Sequence, residues 1–276
     1  MTRITGLAIG VLFLAASAGF ATPPGPGQHF DCSNGGDSSC AADDTGCVSA
    51  TSTRLKCSSG LGKAFAKAIA SVIKCHAKQA QMRFKGASEQ GAGSSEENCE
   101  DNPGNSAKGK LDATIAKLSG ICDQDQLDGA ATEEAVLFGP SALGLDAQNG
   151  NVFCDSASAA LIGDDDAGFV PNSPENLKCA LTVGKMLSRL VSSAIKCHDK
   201  MNKSFFKGGD FDEEICEETD PVSHRGALDK YNQQRDKLVG LGICPSCLDS
   251  SSINALGADV LSQVDGANAS VYPCAP

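Results

Sequence analysis

The chain has no tryptophan, two tyrosines and four histidines among 276 residues. So few rings exclude a stacking platform for nucleic-acid bases, and so few imidazoles exclude a histidine-rich metal site. Catalytic signatures are missing as well. No serine sits in a G-x-S-x-G elbow, the histidines are scattered, and no glycine-rich loop has phosphate-binding spacing. The expectation is a protein that is not an enzyme. Cations are short too: 23 Lys and Arg face 34 Asp and Glu, a net charge of -11. That balance argues against nucleic acid as a partner. Long apolar runs are absent; the run Leu7–Ala16 is too short to span a bilayer, so no integral membrane segment is expected. No stretch alternates with the period of a strand.

Cysteine, by contrast, is abundant: there are 14, an even number that reads as up to seven disulfides in an oxidising compartment. The N-terminus agrees. Arg3, the apolar run and the small residues Ala16-Ser17-Ala18 and Gly19-Phe20-Ala21 predict a signal peptide over 1–21. The expected location is therefore secreted or periplasmic.

One stretch organises the remainder. LKCSSGLGKAFAKAIASVIKCHAKQAQMRFKG, Leu55 to Gly86, returns ungapped at Leu177 to Gly208 as LKCALTVGKMLSRLVSSAIKCHDKMNKSFFKG. The chain accordingly divides into the signal peptide, an irregular Cys-rich loop over 22–52, a first helical-hairpin repeat over 53–162, a linker over 163–174 and a second repeat over 175–276. At about 100° per residue, Cys57, Leu61, Phe65, Ala68, Val72, Cys75, Gln79 and Met82 form one seam of a helix starting near Cys57. Opposite the seam runs a basic stripe: Lys63, Lys67, Lys74, Lys78 and Lys85, then Lys185, Arg189, Lys196, Lys200 and Lys207. The plain reading of the stripe is a solvated face. Its functional reading is a dock for an acidic partner; otherwise the partner is unknown.

The two cysteines of each long helix are 18 residues apart, five turns and roughly 27 Å, so each needs a partner on a second element. Shorter helices over about 106–119 and 223–239 are flanked by such partners. Antiparallel packing predicts Cys57–Cys122 and Cys75–Cys99, then Cys179–Cys244 and Cys197–Cys216. Weaker third segments cover 132–145 and 252–264. Cys247 is expected to take Cys274, which leaves Cys154 for one of Cys32, Cys40 and Cys47. The predicted fold class is all-α: two tandem disulfide-stapled hairpins packed as a pseudo-symmetric helical bundle.

Cys75-His76 and Cys197-His198 invite a haem reading, but C-x-x-C-H is incomplete, with Val72 and Ala194 where the first Cys belongs. No cofactor is expected. The Cys75–Cys99 and Cys197–Cys216 bonds would carry His76 near Glu96, Glu97 and Glu100, and His198 near Glu213, Glu214 and Glu217. The ligands expected from these are Glu97 and Glu100 with His76, and Glu214 and Glu217 with His198. Such sets could hold a divalent metal; the plain reading is a histidine hydrogen-bonded to a carboxylate. Asp123, Asp125 and Glu134 match a calcium loop poorly and read as helix-capping acids. Asn202 and Asn268 open glycosylation sequons. The role expected is a non-enzymatic binding or structural protein, with a metal-binding or redox protein built on His76 and His198 as the competing class.

Overall fold

The computed structural model describes residues 23–30, 45–88, 96–163 and 166–275. The expected signal peptide, Cys32 and Cys40 lie outside these residues. The described chain is mostly helical, without strands. Helix α1 spans Ser52–Phe84, and α2 is the single turn Glu97–Glu100. Then come α3 (Ala107–Leu118), α4 (Gln124–Leu137) and α5 (Leu145–Val152). Helices α6 (Pro174–Phe206), α7 (Glu213–Glu217), α8 (Ala227–Val239) and α9 (Ser250–Val271) follow.

The helix starts have local causes. Thr51 caps α1 by accepting from the Arg54 N–H, and Ser173 caps α6 by accepting from Asn176, with Pro174 at the first helical position. Helix α1 therefore begins five residues before the expected Cys57. Asp123 and Gln126 close a capping box on α4, the role expected of an acid there. The third segments are larger than their patterns imply. In the first half the segment splits at Gly139-Pro140 into α4 and α5. In the second it is one helix of 22 residues capped by Asp249, where the side chain rather than Ser250 to Ser252 supplies the acceptor.

The long helices pack against each other in opposite directions. A Cβ at Gly62 would lie 3.2 Å from Ile195 Cγ2, and one at Gly184 would lie 3.5 Å from Ile73 Cγ2. Missing side chains at these two points let the helix backbones approach. The α1 seam is buried at Cys57, Leu61, Phe65, Ala68, Val72, Cys75 and Gln79, but Met82 is exposed; the seam ends a turn early. One core gathers Leu61, Phe65 and Leu111 with Met201, Phe205 and Tyr272. A second gathers Leu187, Leu190, Tyr231 and Ile253 with Val152 and Phe153. Full burial of one such aliphatic or aromatic side chain contributes about 1.5–3 kcal/mol.

Buried polar bolts fix the register. Asn202 accepts from the Ser49 N–H at 2.9 Å and donates to the Ser49 hydroxyl at 3.0 Å. Arg54, buried at the start of α1, pairs with Asp123 at 2.9 Å and Asp125 at 2.6 Å. It also donates to the Pro273 carbonyl at 2.9 Å, tying the N-terminal ends of α1 and α4 to the end of α9.

Six disulfides join the described cysteines. Four are Cys57–Cys122, Cys75–Cys99, Cys179–Cys244 and Cys197–Cys216, the pairs implied by antiparallel hairpins. The other two correct the expectation: Cys47 bonds Cys274, and Cys154 bonds Cys247. The reason is the length of α9. Cys247 and Cys274 flank its two ends, about 33 Å apart at 1.5 Å per residue, and cannot meet. The segment before α1 instead lies along the end of α9, where the Cys47 N–H donates to the Tyr272 carbonyl at 2.9 Å.

All ten residues of the basic stripe are exposed, and Arg189 donates to Gln234 at 3.1 Å. Asn202 and Asn268 are buried, 0% and 3% exposed, so neither sequon is accessible to a glycan in the folded chain.

Candidate metal centres

The Cys75–Cys99 bond pins the single turn of α2 against α1 and delivers the neighbours of both cysteines, His76 and Glu100, to one point. The imidazole Nε2 of His76 lies 3.0 Å from Glu100 Oε2 and 3.8 Å from Glu96 Oε1. From the other side come Asp166 Oδ1 at 3.0 Å and Asp146 Oδ1 at 3.3 Å. Asp146 sits in the first turn of α5, where the helix N-terminus favours negative charge. Asp166 arrives on the loop before α6. That loop is laid along α5 by Ala167 N–H to Asp146 O at 3.1 Å and Phe169 N–H to Phe153 O at 2.7 Å. Gly168 makes the close approach possible. Its φ is +118°, and a Cβ there would fall 2.9 Å from the Phe153 carbonyl oxygen.

A second cluster forms on α6. His198 Nε2 lies 3.0 Å from Glu217 Oε2, 3.5 Å from Glu213 Oε1 and 3.4 Å from Asp265 Oδ1. Here Cys197–Cys216 pins α7, and α9 supplies Asp265.

In both clusters the acid four residues before the inner glutamate is the one grouped with the imidazole: Glu96 with Glu100, Glu213 with Glu217. This corrects the expected ligands Glu97 and Glu214, which are half-buried and exposed respectively. Residues four apart share a helix face, and the disulfide at Cys99 or Cys216 decides which face looks at the histidine. Asp146, Asp166 and Asp265 were missed altogether. A signal existed for two of them: D-x-x-N-x-x-V followed by Phe or Tyr occurs at Asp146–Phe153 and again at Asp265–Tyr272.

The histidines, the paired glutamates and Asp166 are deeply buried, whereas Asp146 and Asp265 are only partly buried. His76 is 3% exposed, Glu100 4%, Asp166 5% and Glu217 2%. No oxygen is placed to bond the His76 Nε2, although four lie within 3.8 Å of it. The Asp166 oxygens, Glu100 Oε2, both Glu217 oxygens and Asp265 Oδ1 also lack a hydrogen bond. Leaving a buried polar group unsatisfied costs about 1–3 kcal/mol, more when it is charged. Atoms converging this way are therefore served either by shared protons, as imidazolium–carboxylate pairs, or by a cation. The separations are those a small cation would give. Ligands bound at about 2.1 Å lie about 3.0 Å apart along an octahedral edge and about 3.4 Å along a tetrahedral one. The closest nitrogen–oxygen distances match these edges.

Electrostatics tell the same story for the cation-free clusters. Burial opposes protonation of His76, but Asp146, Asp166 and Glu100 outweigh it and hold the imidazole well above its ordinary range. Burial, with the nearby Asp166, pushes Glu96 up to about 9. Burial likewise pushes Asp265 up to about 7. Asp146 and Glu217 move the other way: burial opposes the shift, but pairing with His76 and His198 holds both carboxyls below their ordinary range.

A third grouping, His29 with Cys47 and Cys274, cannot bind in the same way, because both sulfurs are consumed by their mutual disulfide and offer no thiolate. Comparison with protein-family models, with curated proteins and with solved structures found no match.

Proposed function

We propose that this chain is a secreted or periplasmic, non-enzymatic protein that holds two divalent metal ions, one at each histidine. The observation that carries the reading is the deeply buried His76 nitrogen. Three carboxylate oxygens lie 3.0, 3.0 and 3.3 Å from it, within the range of polyhedron edges, and a fourth lies at 3.8 Å, none of them placed to hydrogen-bond it. One imidazole among carboxylates is a borderline-hard donor set that suits Mn²⁺ or Fe²⁺ better than a thiolate-loving ion. Burial of the histidines and glutamates, with at least three donors grouped at each imidazole, favours a closed holding site over a catalytic one that keeps a position open. The disulfides and the absence of a membrane-crossing helix among the described residues fit an oxidising compartment.

We further infer that the two centres descend from one tandem hairpin. Corresponding distances agree: 3.0 Å for both inner glutamates, 3.3 and 3.4 Å for Asp146 and Asp265, 3.8 and 3.5 Å for Glu96 and Glu213. The reciprocal contacts Gly62–Ile195 and Gly184–Ile73 support pseudo-symmetric packing.

The test is metal analysis of the oxidised protein, stripped with chelator, reloaded separately with Mn²⁺, Fe²⁺, Zn²⁺ or Ca²⁺, then dialysed. Two ions per chain are expected with Mn²⁺ or Fe²⁺, and one after His76→Ala or Glu217→Gln. No retained ion under any condition overturns the proposal and leaves clusters that share protons.

A further inference from the structure

A large cavity runs along the crossing of α1 and α6, with α4, α5 and α9 as its walls and His76 and His198 among its lining residues. Its volume is about 950 Å³, near the top of the range of about 300–1,000 Å³ that encloses small-molecule ligands. Ile69 and Ile73 on one long helix and Val191 and Ile195 on the other form the floor; Val152 and Val264 stand at the sides.

The cavity is long and narrow. Its lining reaches from Gly62 to Gln81 on α1, about 28 Å at 1.5 Å per residue. That volume spread over that length, with a water radius of about 1.4 Å added on each side, gives a tube about 9 Å wide. Its lining is mostly apolar, so the tube suits an extended hydrocarbon chain laid along the helix crossing.

Charge marks one place along it. Lys74 and Lys185 both border the cavity and are exposed. Lys74 follows Ile73 and Lys185 follows Gly184, and the approach of Ile73 to Gly184 places the two lysines at the same point of the crossing. Neither enters an ion pair among the described residues. Glu133, whose carboxyl burial pushes up, and Asp259 border other stretches of the wall.

We propose that this cavity binds one unbranched aliphatic chain bearing a carboxylate, with the chain in the tube and the head against Lys74 and Lys185. The proposal does not depend on metal at either histidine.

The test titrates the full oxidised chain with hexadecanoate, hexadecan-1-ol and hexadecylammonium, each kept below micelle formation, with chelator and with Mn²⁺. Expected is saturable binding of one molecule per chain, tightest for the carboxylate. Lys74→Glu combined with Lys185→Glu weakens hexadecanoate about tenfold and leaves the alcohol unchanged, as for two exposed charge contacts. Val264→Trp, which fills the tube, abolishes binding of all three. Circular dichroism and metal content unchanged in each variant show that the fold and the metal centres are intact. Absence of saturable binding, or normal binding to Val264→Trp, overturns the proposal. Equal affinity for the three heads, or preference for ammonium, overturns the assignment of the head to the lysine pair.

Discussion

Glu100→Gln should change sign between stripped and metal-loaded protein. In the stripped state Glu100 stands 3.0 Å from the His76 nitrogen, and its own carboxyl is pushed up by burial. Asp146 and Asp166 crowd the same nitrogen. Two like charges about 4 Å apart repel by about 4 kcal/mol at an effective dielectric constant of about 20. Protons already quench much of that repulsion, and the amide keeps the volume. The variant without metal should therefore be about 1 kcal/mol more stable than its parent, raising Tm by about 2–4 °C for a domain of this size. With metal the order reverses. An ion supplied at 100 times its Kd stabilises the parent by about 2.7 kcal/mol, and the variant forfeits that gain at one of two sites. Calorimetry or guanidinium unfolding with EDTA and then with excess Mn²⁺ reads both arms. If Glu100 serves only as a hydrogen-bond partner for His76, the amide destabilises the protein equally in both. The same sign in both arms would refute the metal reasoning.

Three further outcomes follow from other parts of the molecule. Cys197→Ser with Cys216→Ser should free α7 and cut retained metal from two ions to one, the His76 centre surviving; metal analysis alone decides it. Asp125→Asn leaves the buried Arg54 with Asp123 and the Pro273 carbonyl, at a cost of about 1.5–3 kcal/mol for a charged hydrogen bond, measured by denaturant unfolding. The Arg54 hydrogen bond, opposed by burial, holds the Asp125 carboxyl below its ordinary value. The pair's contribution is thus present above about pH 4 and lost as pH falls through the depressed folded value; the variant should show a flatter acid limb. Gly168→Val meets both a positive φ and the Phe153 carbonyl. It should displace the Asp166 loop and weaken Mn²⁺ at the His76 centre more than at His198, by titration calorimetry.

The long helices and their staples were legible because a helix is a ruler. Cysteines 18 residues apart on an apolar seam can be served only by an antiparallel partner, and only certain cysteines lie at the right places. The same logic failed for Cys247 and Cys274 because Asp265-Gly266 reads as the end of a helix that in fact continues to Val271. Once its 22 residues are seen as one rod, the local pairing is impossible. The glutamates around Cys99 and Cys216 were legible from the disulfides beside them, Glu96 and Glu213 included, but choosing these two over Glu97 and Glu214 required knowing which way a single turn faces. Asp146 and Asp265 were hidden by a change of register: the long helices repeat at a shift of 122, the D-x-x-N-x-x-V segments at 119. The run Asp165-Asp166-Ala167-Gly168-Phe169-Val170 has its own counterpart at Asp43-Asp44-Thr45-Gly46-Cys47-Val48. Asp44 lies outside the described residues. The cavity had no sequence signature, since its lining residues read as ordinary core.

The Cys47–Cys274 bond spans 227 positions and sets an order of events for a chain made from its N-terminus. Cys47 emerges first among the described cysteines, yet its partner comes after every other one. Throughout synthesis it passes closer thiols, including Cys57 and Cys75, to which bonding would be a dead end. Correct closure thus needs either a free thiol preserved until the end or an isomerase to undo early mistakes. The finished molecule is a covalent ring from Cys47 to Cys274. A protease that nicks one loop inside that ring leaves its two pieces tied together.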